Sequence, residues 1–311
     1  MPSPKVSILL PTYNRRRILP RTIASVFSQD EQDIELIIVD DRSSDETGVY
    51  LASLNDPRIR ILRPATNLGT AGARNFALKA ARAEIVALLD DDDVYLEHRL
   101  SAPMAVFARE PNVVATISSS IKLDLKRTHL AQMPELTLAP AQFGWALLCD
   151  LIGVEGTSIT VRRQTALDIG GFSEGMKWID DREFLIRASR CGSGHLITEP
   201  LWKKHWSSDG QSNQWGQAGL SLLSYVSARP ELVGRFRKLG SYFATKILVA
   251  DLRHGLLNAL ARDLRDFRRA GLIDYDFPRM WCDHREVRRY RRAMSKYDAL
   301  AALAQAPDDW C

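Results

Sequence analysis

The sequence predicts an α/β domain built on a largely parallel sheet, followed by a helical C-terminal extension. Two patterns carry that expectation. From Lys5 to Leu89, short β-branched apolar runs alternate with segments of helical spacing, as crossover units between parallel strands require. From Gln217 onward the chain shows helical spacing and no further strand signal.

The elements follow in order. Lys5–Pro11 (KVSILLP) is an apolar run closed by a proline and reads as a buried strand. Arg16–Ser28 places Ile18, Leu19, Ile23, Val26 and Phe27 at helical spacing. Ile34–Val39 (IELIIV) is a second buried strand. Ser44–Leu54 reads as a helix, with Ser43, Ser44 and Asp45 offering N-cap oxygens. Ile59–Leu62 is a third strand, Leu68–Ala83 an Ala-rich helix, and Ile85–Leu89 (IVALL) a fourth strand. Beyond Leu100 the reading is mixed: Val113–Leu125 and Gly153–Val161 read as strands, and Asp180–Arg190 as a helix. The expected division is a sheet domain over residues 1–215 and a basic helical extension over 216–311.

Composition fits such a protein. With 311 residues, 45% hydrophobic and 26% charged, the chain can bury a core and is not of disordered type. No apolar stretch reaches the roughly 18 residues of a spanning helix, and the N-terminus lacks a secretory pattern. The expected location is the cytoplasm or the cytoplasmic face of a membrane. Cys149, Cys191, Cys282 and Cys311 form no Cys-x-x-Cys pair, which argues against a zinc site or a disulfide framework.

Three of the apolar runs stop on polar clusters: Thr12-Tyr13-Asn14, Asp40-Asp41 and Asp90-Asp91-Asp92-Asp93. Ligands of a parallel sheet bind beyond the carboxyl ends of its strands, so these clusters are expected to line one cleft. Four adjacent aspartates repel one another unless a cation or solvent relieves them. If the run is extended, Asp90 and Asp92 share a face and suit a hard divalent ion whose remaining ligands are phosphate oxygens. The plain alternative is a solvated turn with capping aspartates. Asp40-Asp41 has two readings, ribose or base recognition and an N-cap. In Asn67–Asn75 (NLGTAGARN), two glycines allow close backbone approach and Arg74 offers a fork to phosphate. Trp178-Ile179-Asp180-Asp181 reads either as a dipole-stabilised helix start or as the seat of a general base. The dinucleotide GxGxxG and the Walker loop are both absent.

Taken together, PTYNR (Pro11–Arg15), VDDRSSDET (Val39–Thr47), NLGTAGARN and LLDDDDVYLEHRL (Leu88–Leu100) resemble, in order and spacing, the inverting family 2 glycosyltransferases of the GT-A fold. GTSITVRRQTALDIGGF (Gly156–Phe172) and WIDDREFLIRA (Trp178–Ala188) are similar to that family's acceptor-side segments. The resemblance covers roughly residues 4 to 210. It implies a Rossmann-like, mostly parallel central sheet with helices on both faces. It also implies transfer of a sugar from a nucleoside-diphosphate sugar, with a UDP-sugar as expected donor, to a carbohydrate, lipid-linked or other hydroxyl acceptor in polysaccharide or glycoconjugate synthesis.

The same resemblance distributes roles. Pro11, Thr12, Tyr13, Arg15, Asp41, Asn67, Arg74, Asp90 and Asp91 form the implied nucleotide-binding set. Asp41 takes the base edge, with Asp40 as its structural partner. Asp92 is the implied direct ligand of Mn²⁺ or Mg²⁺, with Asp90 reaching the ribose or a metal-bound water. His205 resembles a late histidine near the diphosphate or metal, against a plain reading as a loop or core histidine. Asp181 aligns with the catalytic base. Asp180 stands where the family usually has glutamate, which leaves the choice within the pair open.

The chain's charge is uneven. Arg229–Lys296 holds 17 Lys and Arg against 8 Asp and Glu, about +9, so with +4 overall the remainder is near −5. This basic segment reads as helices with a solvated face, as a peripheral contact to an anionic leaflet, or as an oligomer contact. No nucleic-acid module accompanies it. Trp145, Trp178 and Trp202 are candidates for a sugar-stacking platform or for core packing. Two rival functions are a nucleotidyltransferase, disfavoured because PTYNRRR lacks glycines, and a non-catalytic nucleotide-sugar-binding scaffold, which would need neither Asp92 nor Asp181.

Overall fold

The computed structural model describes residues 3–123, 128–174, 176, 179–205, 218–228, 233–234, 237–273 and 277–294. The chain divides into two compact units. One comprises residues 1–144, 153–175 and 184–207, the other 145–152, 176–183 and 208–311.

The first half of the first unit runs β1 (Val6–Thr12), α1 (Leu19–Phe27), β2 (Ile34–Asp40), α2 (Thr47–Ala52), β3 (Ile59–Leu62), α3 (Gly69–Ala80) and β4 (Ile85–Leu88). These are the elements expected from the sequence, trimmed at their ends. The four strands pair in parallel in the order β3-β2-β1-β4. The chain therefore builds outward from β1 to β3 and then jumps to the other side of β1. Such a reversal leaves a crevice at the carboxyl ends of the strands on either side of it.

The apolar runs are continuous because both faces of this sheet are covered. Val6, Ile8 and Leu10, with Ile34, Leu36 and Ile38, pack with Leu19, Ile23 and Val26 of α1 and Leu51 of α2. The alternate residues Leu9, Ile37, Val39, Val86 and Leu88 are equally buried. They belong to the opposite face, where right-handed crossovers put α3 with its buried Ala73, Ala77 and Leu78. Asp45, rather than Ser43 or Ser44, accepts from the first turn of α2, through the Thr47 N–H at 2.9 Å.

The chain continues through β5 (Val94–Tyr95), α4 (Ser101–Arg109), β6 (Val113–Leu123), β7 (Thr128–Ala131), β8 (Leu136–Leu138), α5 (Pro140–Leu148), a 3₁₀ turn at Gly156–Ser158, β9 (Ile159–Arg162), α6 (Arg163–Asp168), α7 (Asp180–Ala188) and β10 (Ser193–His205), with residues 145–148 of α5 and 180–183 of α7 belonging to the second unit. β9 is antiparallel to both β4 and β6, while β10 is parallel to β6. The strand expected over Gly153–Val161 is thus split into a turn and a short strand. β10 is not foreseen by the sequence because its pairing slips on both sides of Pro200, between Ile197 and Trp202. Proline cannot donate to a ladder and is confined to such irregularities. Trp145 and Trp202 are buried, which favours the core reading for both; Trp178 lies outside the described residues.

The second unit contains α8 (Ala218–Ala228), α9 (Arg237–Arg253), α10 (Leu257–Arg269) and α11 (Phe277–Met294), so all its described elements beyond residue 217 are helical. Tyr242 of α9 stacks on His284 of α11 at 5.0 Å, and Lys238 pairs with Glu286 at 3.2 Å. Trp145 Nε1 donates to the Tyr290 hydroxyl at 3.3 Å. Asp150 pairs with Arg182 and, at 3.5 Å, with Lys246. No helix among the described residues is long and apolar enough to cross a membrane.

Two fully buried carboxyls, Asp251 of α9 and Asp263 of α10, face each other in this unit. Asp263 pairs with Arg262 at 2.7 Å, and a Cβ on Gly219 of α8 would collide with its carboxyl group. Both Asp251 oxygens and Asp263 Oδ2 lack a hydrogen-bond donor among the described residues. Burial, and then the charge of Asp263, push the Asp251 carboxyl up to about 6. A carboxyl raised in the folded state takes up its proton on folding. Its contribution is complete below the unfolded value of about 4 and is lost as pH rises through about 6. Between pH 4 and pH 8, hydrogen-exchange protection of α9 and α10 should therefore fall more in the wild type than in Asp263→Asn. Parallel profiles would contradict the influence of Asp263 on Asp251.

Candidate functional site

The carboxyl ends of β1, β2 and β4 are tied together by polar contacts. Beyond β1, Asn14 adopts a left-handed φ of 54°. Its N–H donates to the Ser43 hydroxyl at 2.9 Å, and its side-chain carbonyl accepts from the Ser44 N–H at 2.8 Å. The Arg15 N–H donates to the Thr47 hydroxyl at 2.9 Å. The β1 loop is thereby fixed to the β2 loop. Pro11 and Thr12 are buried in β1, while Tyr13 stays 49% exposed at its tip.

Asp41 holds the next segment. Its Oδ1 accepts from the Leu68 N–H at 2.7 Å and its Oδ2 from the Gly69 N–H at 2.8 Å, while Asn67 Nδ2 donates to its backbone carbonyl at 2.8 Å. Asp41 therefore caps α3, a helix two elements downstream, and each of its oxygens keeps a lone pair for a further donor. Asp40 accepts from the Ser43 N–H at 2.9 Å and pairs with Arg63 at 3.0 Å. The far end of NLGTAGARN is fixed by Asn75, which bonds both the N–H (2.7 Å) and the carbonyl (2.9 Å) of Phe172. Gly171, at φ +74°, is required there, because a Cβ would collide with the Asn75 carbonyl oxygen.

The four aspartates are not extended. The Asp93 N–H donates to the Asp90 carbonyl at 3.1 Å, which closes a turn, so alternation along a strand does not apply to Asp90 and Asp92. Each carboxyl instead has its own surroundings. Asp90 pairs with Nη2 of the buried Arg74 at 2.6 Å. Asp91 turns back toward β1, pairing with Arg15 Nε at 3.3 Å and accepting from the Tyr13 N–H at 3.4 Å. Asp92 is half-buried, and its carbonyl accepts from Arg21 at 3.0 Å. Asp93 is buried and accepts from the Thr157 hydroxyl at 2.6 Å, while that hydroxyl receives the Asp90 N–H at 3.0 Å.

Electrostatics follow from these surroundings. Burial pushes the Asp91 carboxyl up to about 7, with Arg15 opposing and Asp92 adding to the shift. Burial, then Asp90 and Asp92, push Asp93 well above the usual carboxylate range. The run thus carries fewer than four charges at neutral pH. Lys204 of β10 is driven the other way: burial would lower it, but Glu155, Asp93 and Asp90 together raise it. His205, at the end of β10, is lowered by burial and by Arg21 and Lys203; its Nδ1 has no hydrogen-bond partner among the described residues.

Several residues essential to this arrangement lie within segments the sequence singles out but receive no role there. Thr157 joins both ends of the aspartate turn. Arg99 is fully buried and has no carboxylate partner among the described residues; it donates from Nη2 to the carbonyls of Thr157 (2.7 Å) and Ile159 (2.9 Å) and from Nη1 to the Thr160 hydroxyl (2.7 Å). Gly156 has to be glycine because a Cβ would collide with Arg74 and lie 3.0 Å from both Asp90 oxygens. Asp180 and Asp181 open α7 in the second unit. The residue before them, Ile179, has φ +60°, a strained value for a β-branched residue.

No three His, Cys, Asp or Glu side chains among the described residues gather into a ready metal site. Mg²⁺ and Mn²⁺ need none when one or two carboxylates and phosphate oxygens share the coordination. Asp92 and Asp90, half-exposed hard oxygen donors, and His205, with its unpartnered Nδ1, are chemically suited to that role.

The model of the family described as "Glycosyl transferase family 2" matches residues 7–170. A UDP-Glc:alpha-D-GlcNAc-diphosphoundecaprenol beta-1,3-glucosyltransferase of Escherichia coli is 36% identical over 104 residues, 33% of this chain and 41% of that protein. The chain spans about two fifths of the length of such curated relatives. Among solved structures, residues 1–349 of S. aureus TarS in complex with UDP-GlcNAc superimpose with TM-score 0.64 at 18% identity, covering 94% of this chain and 93% of that one. A Pyrobaculum calidifontis mannosyltransferase in complex with GDP-Man and Mn²⁺ gives TM-score 0.55 at 20% identity, covering 95% and 88%. The fold of the chain is that of the GT-A glycosyltransferases.

Replacing Thr157 by Val would leave the Asp90 N–H and the buried Asp93 without their shared partner. It should lower stability by about 1–3 kcal/mol in denaturant titration, whereas Thr157→Ser should stay close to the wild type. A loss in Thr157→Ser with none in Thr157→Val would show that the methyl group, not the hydroxyl, matters.

Proposed function

The chain belongs to glycosyl transferase family 2, and we propose that it transfers a sugar from a UDP-sugar to a hydroxyl of a lipid-linked saccharide, with inversion and with the help of Mn²⁺ or Mg²⁺. The observation that carries this reading is the network that joins the ends of β1, β2 and β4, through Asn14 to Ser43, Arg15 to Asp91 and Arg74 to Asp90, with Thr157 holding the aspartate turn. UDP-GlcNAc in the TarS complex supports the choice of donor. The diphosphoundecaprenol-linked substrate in the relative's name supports the choice of acceptor.

In this reading the uridine enters beside the exposed Tyr13 ring and the remaining lone pairs of Asp41. Arg74, already charge-paired with Asp90, and Arg15, paired with Asp91, are preset and need little reorganisation as a diphosphate binds. Asp92 and Asp90 would hold the metal, with His205 as a further donor. When bound, the ion supplies positive charge against the departing diphosphate. The aspartates not needed for that are buried and partly protonated, which limits repulsion of the anionic donor. Asp181 takes the proton of the acceptor hydroxyl, a role assigned through the family resemblance and in keeping with the strained Ile179 before it. A lipid-linked acceptor places this reaction at a membrane surface, for which the basic C-terminal helices are suited.

Asp181→Asn should abolish transfer while leaving UDP affinity within about twofold of the wild type; wild-type-like turnover would refute the base assignment and direct the search to Asp180. EDTA should stop the wild-type enzyme and Mn²⁺ or Mg²⁺ restore it, measured as UDP release. Full activity in a chelated preparation would remove the metal role of Asp92.

A further inference from the structure

In the second unit, α9 and α10 are joined by a tight reversal through Gly255, at φ +68°. Two leucines stand out from it: Leu252 is 62% exposed and Leu257 is 66% exposed. Single exposed leucines are ordinary, but two flanking one turn make an apolar prong that no described residue of the unit covers. Arg253 and His254, both exposed, lie between them. α10 then carries Leu257, Ala261, Arg265 and Arg268 at spacings of four, four and three, so they share its outward face, with Arg269 beside them. The opposite face bears the buried Asp263 and Phe267. Arg253 and Arg269 form no ion pair among the described residues, while Arg265 pairs with Asp266 at 2.9 Å and Arg269 acts on the same carboxylate at longer range.

We propose that this tip is a membrane-docking element for an anionic lipid surface, in which Leu252 and Leu257 enter the headgroup boundary while Arg253, Arg265, Arg268 and Arg269 meet lipid phosphates. Charge complementarity selects the partner: a cationic rim attracts anionic lipid, and the apolar prong adds an affinity that salt does not screen. A nucleic acid would use the arginines but has no use for solvent-exposed leucines. The inference deepens the membrane contact in the function proposed above.

Co-sedimentation of the full chain tests it, with mixed phosphatidylglycerol–phosphatidylcholine vesicles set against pure phosphatidylcholine. The wild type should bind the anionic vesicles and not the neutral ones. Leu252→Ser with Leu257→Ser should weaken binding by about tenfold or more, and Arg253→Glu with Arg269→Glu should abolish it. These are exposed positions outside the nucleotide cleft, so UDP affinity should be unchanged in both variants. No binding of the wild type to anionic vesicles would overturn the proposal, and so would undiminished binding of the leucine double variant. Preferential binding of an RNA or DNA oligomer that is indifferent to the leucine changes would overturn it in favour of a nucleic-acid surface. Vesicle binding needs no turnover. Docking without sugar transfer would therefore count against the catalytic reading alone, and transfer without docking against the membrane tip alone.

Discussion

Four adjacent carboxyls at the end of a buried strand repel one another, and the loops after β1, β2 and β4 are arranged around that constraint. Asp93 is buried and held by the Thr157 hydroxyl, and Asp91 is mostly buried and pushed up to about 7. Asp90 is offset by Arg74 at 2.6 Å, which leaves Asp92, half-buried, at the corner of the turn. Lys204 faces the same charges from β10. Because Thr157 serves both ends of the turn, the placement of β9 and its preceding 3₁₀ turn decides the shape of the acidic loop, and Arg99 in turn fixes that 3₁₀ turn from beneath.

Much of this fold was legible in the residues. The first four strands are continuous apolar runs because both faces of the sheet are covered; a sheet with one solvated face would show polar residues at every second position. The polar clusters that end β1, β2 and β4 could be assigned to one crevice by the rule for parallel sheets, and the contacts of Asn14 and Asp41 link them. What could not be read depends on contacts between residues distant in sequence. Thr157 bonds to residues 64 and 67 positions away, and Arg99 to residues 58 to 61 positions away, with nothing local to mark either. β10 escaped because its ladder slips around Pro200 and its outer end carries Lys203 and Lys204. Whether Asp90–Asp93 is extended or a turn is left open by the sequence, since a run of identical residues gives no alternation from which to judge conformation.

The loops after β1, β2 and β4 and the aspartate turn lie in the first unit, whereas Asp180, Asp181 and the basic helices belong to the second. The sequence match to the family model, residues 7–170, runs from β1 through β9 and α6 and stops before α7 and β10. The second unit is also where buried acid and exposed base coexist. Asp251 and Asp263 lie inside the helices and the arginines outside, so its charge is sorted by depth rather than merely summed.

The central claim is that the loops after β1, β2 and β4, the start of α3 and the 156–158 turn form one nucleoside-diphosphate cleft. Hydrogen–deuterium exchange of the wild type with and without UDP or GDP, in the presence of Mn²⁺, tests it most directly. One of the two nucleotides should protect residues 11–15, 40–43, 67–75, 90–93 and 156–158 together. Protection confined to a different region, or none with either nucleotide, would contradict it.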